Sequence, residues 1–127
     1  MVRLRRRAPA ALAALFLGSG IVHLVRPQAF ASIMPRAIPE EHHTNLIYAS
    51  GVVELVCAVG LVRRTRWASA ASLAILAAVF PANIQMALDA GTGRNPGPSD
   101  SRLVAWGRLP FQLAMAWAAR QARPLPG

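Results

Sequence analysis

Apolar residues fall into four long runs separated by short polar connections. Residues 8–25 carry no ionised side chain, residues 46–62 carry one (Glu54), residues 67–88 none, and residues 103–119 one (Arg108). A helix needs about 20 apolar residues to cross a hydrocarbon core of ~30 Å, with 17–25 as the working range. All four runs meet that length, the second and fourth only just. Small residues dominate them: alanine makes up roughly a fifth of the chain, and Gly18, Ser19, Gly20, Ser50, Gly51 and Gly60 add to it. Small side chains let helices approach closely in lipid. The pattern predicts an all-α fold, a four-helix transmembrane bundle forming a single membrane domain over residues 1–127.

Charge sharpens this picture. The basic residues number 14, all arginine, against 5 acidic ones. Such an excess raises the question of an anionic partner, but the arginines punctuate the apolar runs instead of lining one face. Arg3, Arg5, Arg6 and Arg7 crowd the first, Arg63, Arg64 and Arg66 lie between the second and third, and Arg120 and Arg123 follow the fourth. A nucleic-acid binder interleaves its basic residues with polar ones along an element, so no nucleic-acid partner is expected. Short basic connections stay in the cytoplasm. Both termini and residues 63–66 are therefore expected inside, and residues 26–45 and 89–102 outside, in a multi-pass protein of a bacterial-type plasma membrane.

The basic start, apolar stretch and Ala29-Phe30-Ala31 also have the form of a secretory signal. The first run exceeds the usual 7–15 residues of such a signal, and three further runs follow, so the first helix is expected to be retained. A disulfide framework is excluded because Cys57 has no partner in the chain. Cys57 is read as a buried structural thiol.

The outer connections offer little chemistry. Residues 28–34 predict a short amphipathic turn at the interface, with Phe30, Ile33 and Met34 on its apolar side. Glu41, His42 and His43 are adjacent residues with no third well-spaced ligand, and no metal site is expected. The Gly/Pro/Ser/Asn-rich residues 90–102 predict a mobile loop. They form no phosphate cradle, since no lysine follows their glycines.

The informative residues are polar ones within the apolar runs: His23, Tyr48, Glu54, Asn83, Gln85, Arg108 and Gln112. Ionisable groups at membrane depth are costly and usually face the bundle interior, where they pair. Measured from the outer ends, His23 and Tyr48 lie within a turn, Asn83, Gln85 and Arg108 one to two turns in, and Glu54 and Gln112 near the midplane. Four helices thus place polar groups in one half of the bundle, which predicts a pocket opening outward. Pro81 and Pro110 lie at matching depth, and each is followed two residues later by a carboxamide, Asn83 or Gln112. Each proline frees the carbonyl four residues earlier, Ala77 or Trp106. Interrupted helices at matching depth point to a binding site, while amides that merely satisfy the freed carbonyls are the structural alternative. Glu54 and Arg108 are the natural ion pair. A protonated Glu54 bonded to His23 or Tyr48 is the competing arrangement.

The runs GSGIVHLVRPQAFASIMPRAIP, YASGVVELVCAVGLVRRTRWAS, VFPANIQMAL and RLPFQLAMAWAA closely resemble those of DoxX-like membrane proteins. The likeness covers about Gly18 to Ala119. His23 with Pro27, Ile33-Met34-Pro35, Ser50-Gly51 with Glu54, Pro81-Ala82-Asn83 and Arg108-Leu109-Pro110 with Gln112 carry it. The resemblance implies a small four-helix integral membrane bundle. Some members are membrane subunits of thiosulfate:quinone oxidoreductase and others are linked to thiol redox balance. It therefore implies an accessory subunit of a redox or quinone-linked system, with a quinone as its ligand and the bilayer, a soluble redox protein or a second copy of the chain as partners. The chain has no cysteine pair, haem-ligand pattern or flavin motif, and the reading leans against catalysis by the isolated chain. The candidate pocket residues are His23, Tyr48, Glu54, Asn83, Arg108 and Gln112. A small-solute carrier and a scaffold with a merely structural polar core are the alternatives.

Overall fold

The computed structural model describes residues 2–28, 34, 37–94 and 100–122, and it is all-helical over them. Its elements are α1 (Val2–Val25), α2 (His43–Arg63), α3 (Ala68–Asp89) and α4 (Arg102–Arg120), with a 3-10 turn at Glu40–His42 leading into α2. Each helix contains one of the apolar runs, and most ends lie within three residues of those expected. The exception is the start of α1, which continues back through the arginine cluster to Val2. Arginine and alanine are strong helix formers, so charge at this end does not stop the helix. Pro9 sits within α1, where it costs only the bond to the Arg5 carbonyl, near the helix end.

Three of the helical stretches are long and apolar enough to cross a membrane: Val2–Val25, Glu40–Arg63 and Ala68–Asp89. These correspond to the first three of the four expected runs. The fourth run is helical for 19 residues, but Arg102, Arg108, Gln112 and Arg120 offset its leucines and alanines. The turn expected over 28–34 falls largely outside the described residues, and the Ala29-Phe30-Ala31 motif does so wholly. Residues 95–99 of the glycine- and proline-rich connection and Arg123 also lie outside them.

The helices pack as two antiparallel pairs, α1 with α2 and α3 with α4, joined more sparingly along α2–α3 and α1–α4. The α1–α2 seam is close because it is built from glycine. A Cβ on Gly20 would lie 2.9 Å from the Gly51 carbonyl oxygen, and one on Gly51 would lie 2.8 Å from the Cβ of His23. All four helices contribute to one buried apolar cluster, including Leu12 and Phe16, Cys57 and Leu61, Ile75 and Leu76, and Ala118 and Ala119. A smaller cluster of Met86, Ala87, Ala90 and Ala105 closes α3 against α4. Many large apolar side chains point outward, among them Leu17, Val52, Val59, Leu103 and Leu113. A surface of this kind is costly in water and calls for an apolar neighbour.

The turn between α2 and α3 is tightly made. Arg64 adopts the left-handed conformation at φ 53°, and the Thr65 N–H donates to the Gly60 carbonyl at 3.0 Å. The Arg64 guanidinium donates to the Arg6 carbonyl at 3.0 Å, tying the turn to the first turns of α1. The Trp67 ring lies directly over Gly60, where a Cβ would meet it at 2.6 Å.

Candidate functional site

A cavity of about 400 Å³ runs from the middle of the bundle toward the end where α1 and α3 finish. Its walls are mostly apolar, with Phe16, Ile47, Leu76, Val79 and Phe111 among them, and Met34 from the α1–α2 connection contributes too. Six polar side chains enter this lining: Ser19 and His23 from α1, Ser50 and Glu54 from α2, Asn83 from α3 and Arg108 from α4. The first two pairs are each four residues apart, so each shares one helix face. Four of the six candidates, His23, Glu54, Asn83 and Arg108, are therefore brought together.

The glycine seam positions the first two. With no side chain at Gly51, the Cβ of His23 packs one turn away from Glu54 on the neighbouring helix. The His23 Nδ1–H donates to the Ser19 backbone carbonyl at 2.6 Å. A carbonyl oxygen only accepts, which fixes the proton on Nδ1. The same nitrogen lies 3.3 Å from the Ser19 hydroxyl and 3.4 Å from Glu54 Oε2. Glu54 is only 5% exposed, and its Oε2 has no hydrogen-bond partner among the described residues. A buried carboxylate oxygen left in that state is a costly arrangement.

The natural pair expected between Glu54 and Arg108 is not formed. Arg108 donates from Nη1 to the Met86 sulfur at 3.5 Å instead. The bundle geometry explains this. α4 packs against α3 and α1, whereas α2 packs against α1 and α3, so Glu54 and Arg108 stand on diagonal helices. Glu54 instead lies 3.4 Å from His23, without the hydrogen bond of the competing arrangement.

Behind the cavity wall, Gln112 is buried and does not line the space. Asn83 donates to the Gln112 side-chain oxygen, and Gln112 donates to the Leu76 backbone carbonyl. This relay joins α3 to α4 beside Pro81. The expected acceptor was the carbonyl of Ala77, freed by Pro81; the bond goes to its neighbour one residue earlier. Neither Pro81 nor Pro110 interrupts its helix, since α3 and α4 run through both positions. Gln112 thus serves the backbone, and Asn83 serves both the relay and the lining.

Tyr48 is 40% exposed and stands outside the lining. Gln85 turns to its own helix, donating to Asp89 at 2.9 Å. His42 meets Glu41 on the exposed surface at 3.6 Å, and the His43 Nε2–H donates to the Ile38 carbonyl at 2.8 Å. Among the described residues, no three His, Cys, Asp or Glu side chains gather as a metal site would need. Cys57 is 1% exposed within the core. The residues missed from sequence are Ser19, Ser50 and Met34. The serines had been counted as small packing residues, although their spacing of four from His23 and Glu54 was visible.

Fold and site together define a small all-helical protein with three helices able to cross a membrane and an internal, mostly apolar cavity carrying a few convergent polar groups. A family model described as a domain of unknown function (DUF8561) matches residues 12–123, and the chain belongs to that family. The match covers every residue named in the cavity lining. No curated protein and no solved structure matches the chain.

Proposed function

We propose that this is a DoxX-like integral membrane protein, crossing a bacterial-type plasma membrane four times with both termini in the cytoplasm. It serves there as an accessory subunit of a redox or quinone-linked system and binds a quinone head group in the cavity. The fourth crossing is made by α4, whose arginine and glutamine are turned to the interior by its neighbours. The arginine-rich ends then face the cytoplasm and the cavity mouth faces outward, in keeping with the bias of basic residues.

The observation that carries the ligand reading is the cavity. Its volume of about 400 Å³ falls in the range of small-molecule sites, as does its build of apolar walls with few polar groups. A flat ring fits between Phe16, Leu76 and Phe111. Arg108, whose guanidinium has only a weak sulfur acceptor among the described residues, donates to a ring carbonyl oxygen. Glu54 and His23, 3.4 Å apart, hold or pass a proton at the opposite wall. Asn83 and Gln112 keep α3 and α4 in register beside the site.

The test is titration of the detergent-purified protein with decylubiquinone, followed by tryptophan fluorescence. Saturable binding is expected, weakened about tenfold or more by Arg108→Gln, the loss of a hydrogen bond to a charged group. Tyr48→Phe, outside the lining, leaves it unchanged. Absence of saturable binding, or wild-type affinity in folded Arg108→Gln, overturns the reading.

A further inference from the structure

A second hollow of about 380 Å³ lies on the outside of the α1–α2 pair, away from the cavity. Ala10, Ala14 and Leu17 form its wall on α1, and Ala58, Val59 and Val62 its wall on α2. Arg63 stands at one end. From Ala10 to Leu17 the trough is roughly 10 Å long at 1.5 Å per residue.

What happens along α1 beyond Ala10 gives the trough its chemistry. Steps of three and four residues keep a helix face in line, and they lead from Leu17 through Ala13 and Ala10 to Arg6 and Arg3. Because α1 stays helical to Val2, these arginines lie on the same face as the trough floor. Arg5 falls on the opposite side. Arg63 of α2 comes to the same end from the other wall, and the Arg64 bond to the Arg6 carbonyl holds the two helices together there. One continuous surface is therefore apolar for about two turns and cationic for the next two. Among the described residues, none of Arg3, Arg6 and Arg63 is tied to a carboxylate in an ion pair, and all three are exposed.

We propose that this surface is a binding site for one anionic glycerophospholipid. The upper part of an acyl chain lies in the trough and the phosphodiester rests among Arg3, Arg6 and Arg63. A phosphate needs several converging cations and an acyl chain needs an apolar channel, and the two occur here in the right order and at adjoining depth. A second copy of the chain is a poorer occupant, since its own arginines would face these across the contact. The inference rests on the reading that the helices cross a bilayer, with this end at the anionic cytoplasmic leaflet.

Native mass spectrometry of the full chain released from mild detergent tests it, with phosphatidylglycerol and phosphatidylcholine of identical chains as probes. One phosphatidylglycerol per chain is expected to be retained several-fold over phosphatidylcholine. Removing Arg3, Arg6 and Arg63 together as glutamines abolishes that preference, whereas Arg5→Gln leaves it intact. Ala14→Phe, which fills the trough without touching a cation, lowers retention of both lipids. Equal retention of the two lipids overturns the site, and so does an Arg5→Gln effect as large as that of Arg6→Gln, which would mark diffuse attraction. A lipid-free dimer in place of the lipid-bound chain overturns it as well. Recovery of the chain in the aqueous fraction after alkaline extraction overturns the membrane reading itself, and is read separately from lipid preference.

Discussion

The two helix pairs are held by opposite means. α1 and α2 meet where side chains are missing: Gly20 and Gly51 bring backbone against backbone. α3 and α4 meet through side chains, in the relay from Asn83 to Gln112 to the Leu76 carbonyl, and Gly107 on α4 touches nothing within 4 Å of where its Cβ would be. The first seam depends on volume and the second on hydrogen bonding. A seam made by close approach tolerates no added atom, while one made by amides tolerates volume changes but not the loss of a donor. The cavity sits between the two, with His23 and Glu54 placed by the first seam and Asn83 by the second.

The largest effect is expected from Gly51→Val. Even its Cβ would stand 2.8 Å from that of His23 and 3.0 Å from the Gly20 carbonyl. Overpacking of this kind costs about 1–3 kcal/mol or more, and backbone cannot yield as a flexible side chain does. Thermal unfolding in detergent should show the loss. Adding Gly20→Ala should cost less than its single effect, because both changes open the same contact. Additive losses would mean the two glycines do not share a seam.

Next in size is Gln112→Leu, which keeps the bulk but leaves the Leu76 carbonyl and the Asn83 amide without their partner. About 1–3 kcal/mol is expected for stranding buried polar groups, partly recovered by Asn83→Leu in the same chain. A full-sized loss in the double variant would show that the amides act separately.

The smallest change is expected two residues from the glycine seam. Gly18→Ala meets nothing within 4 Å and gains helix propensity, so it should be neutral or stabilising by up to about 1 kcal/mol. A loss comparable to that of Gly20→Ala would show that α1 is sensitive everywhere and not at its contact with α2.

Much of this helical architecture was legible in the sequence because helix length is a one-dimensional signal. Depth along each helix is one too, and it brought His23, Glu54, Asn83 and Arg108 to the same half of the bundle. Rotation about the helix axis is a second coordinate that depth does not contain. Tyr48 lies at a suitable level but is turned roughly a third of a revolution from Glu54 at 100° per residue, while Ile47 and Ser50 take the lining positions. Gln85 is likewise turned away from Asn83. The Glu54–Arg108 expectation failed on a third coordinate, the order of helices around the bundle, which no single helix encodes. The run of 17 residues in α4 counts length and leaves uncounted what Arg108 and Gln112 subtract from its apolarity.

The Trp67 ring on Gly60 has an optical consequence. One face of the indole is pressed to the backbone of the α2–α3 turn, while the side chain remains nearly half exposed at 47%. Indoles combine an apolar body with a polar edge, so the colour of this ring's emission follows the medium on its outer side. The depolarisation of the same light follows how firmly the turn grips its inner face. One residue thus reads both the medium outside the turn and the rigidity of the joint between the two pairs.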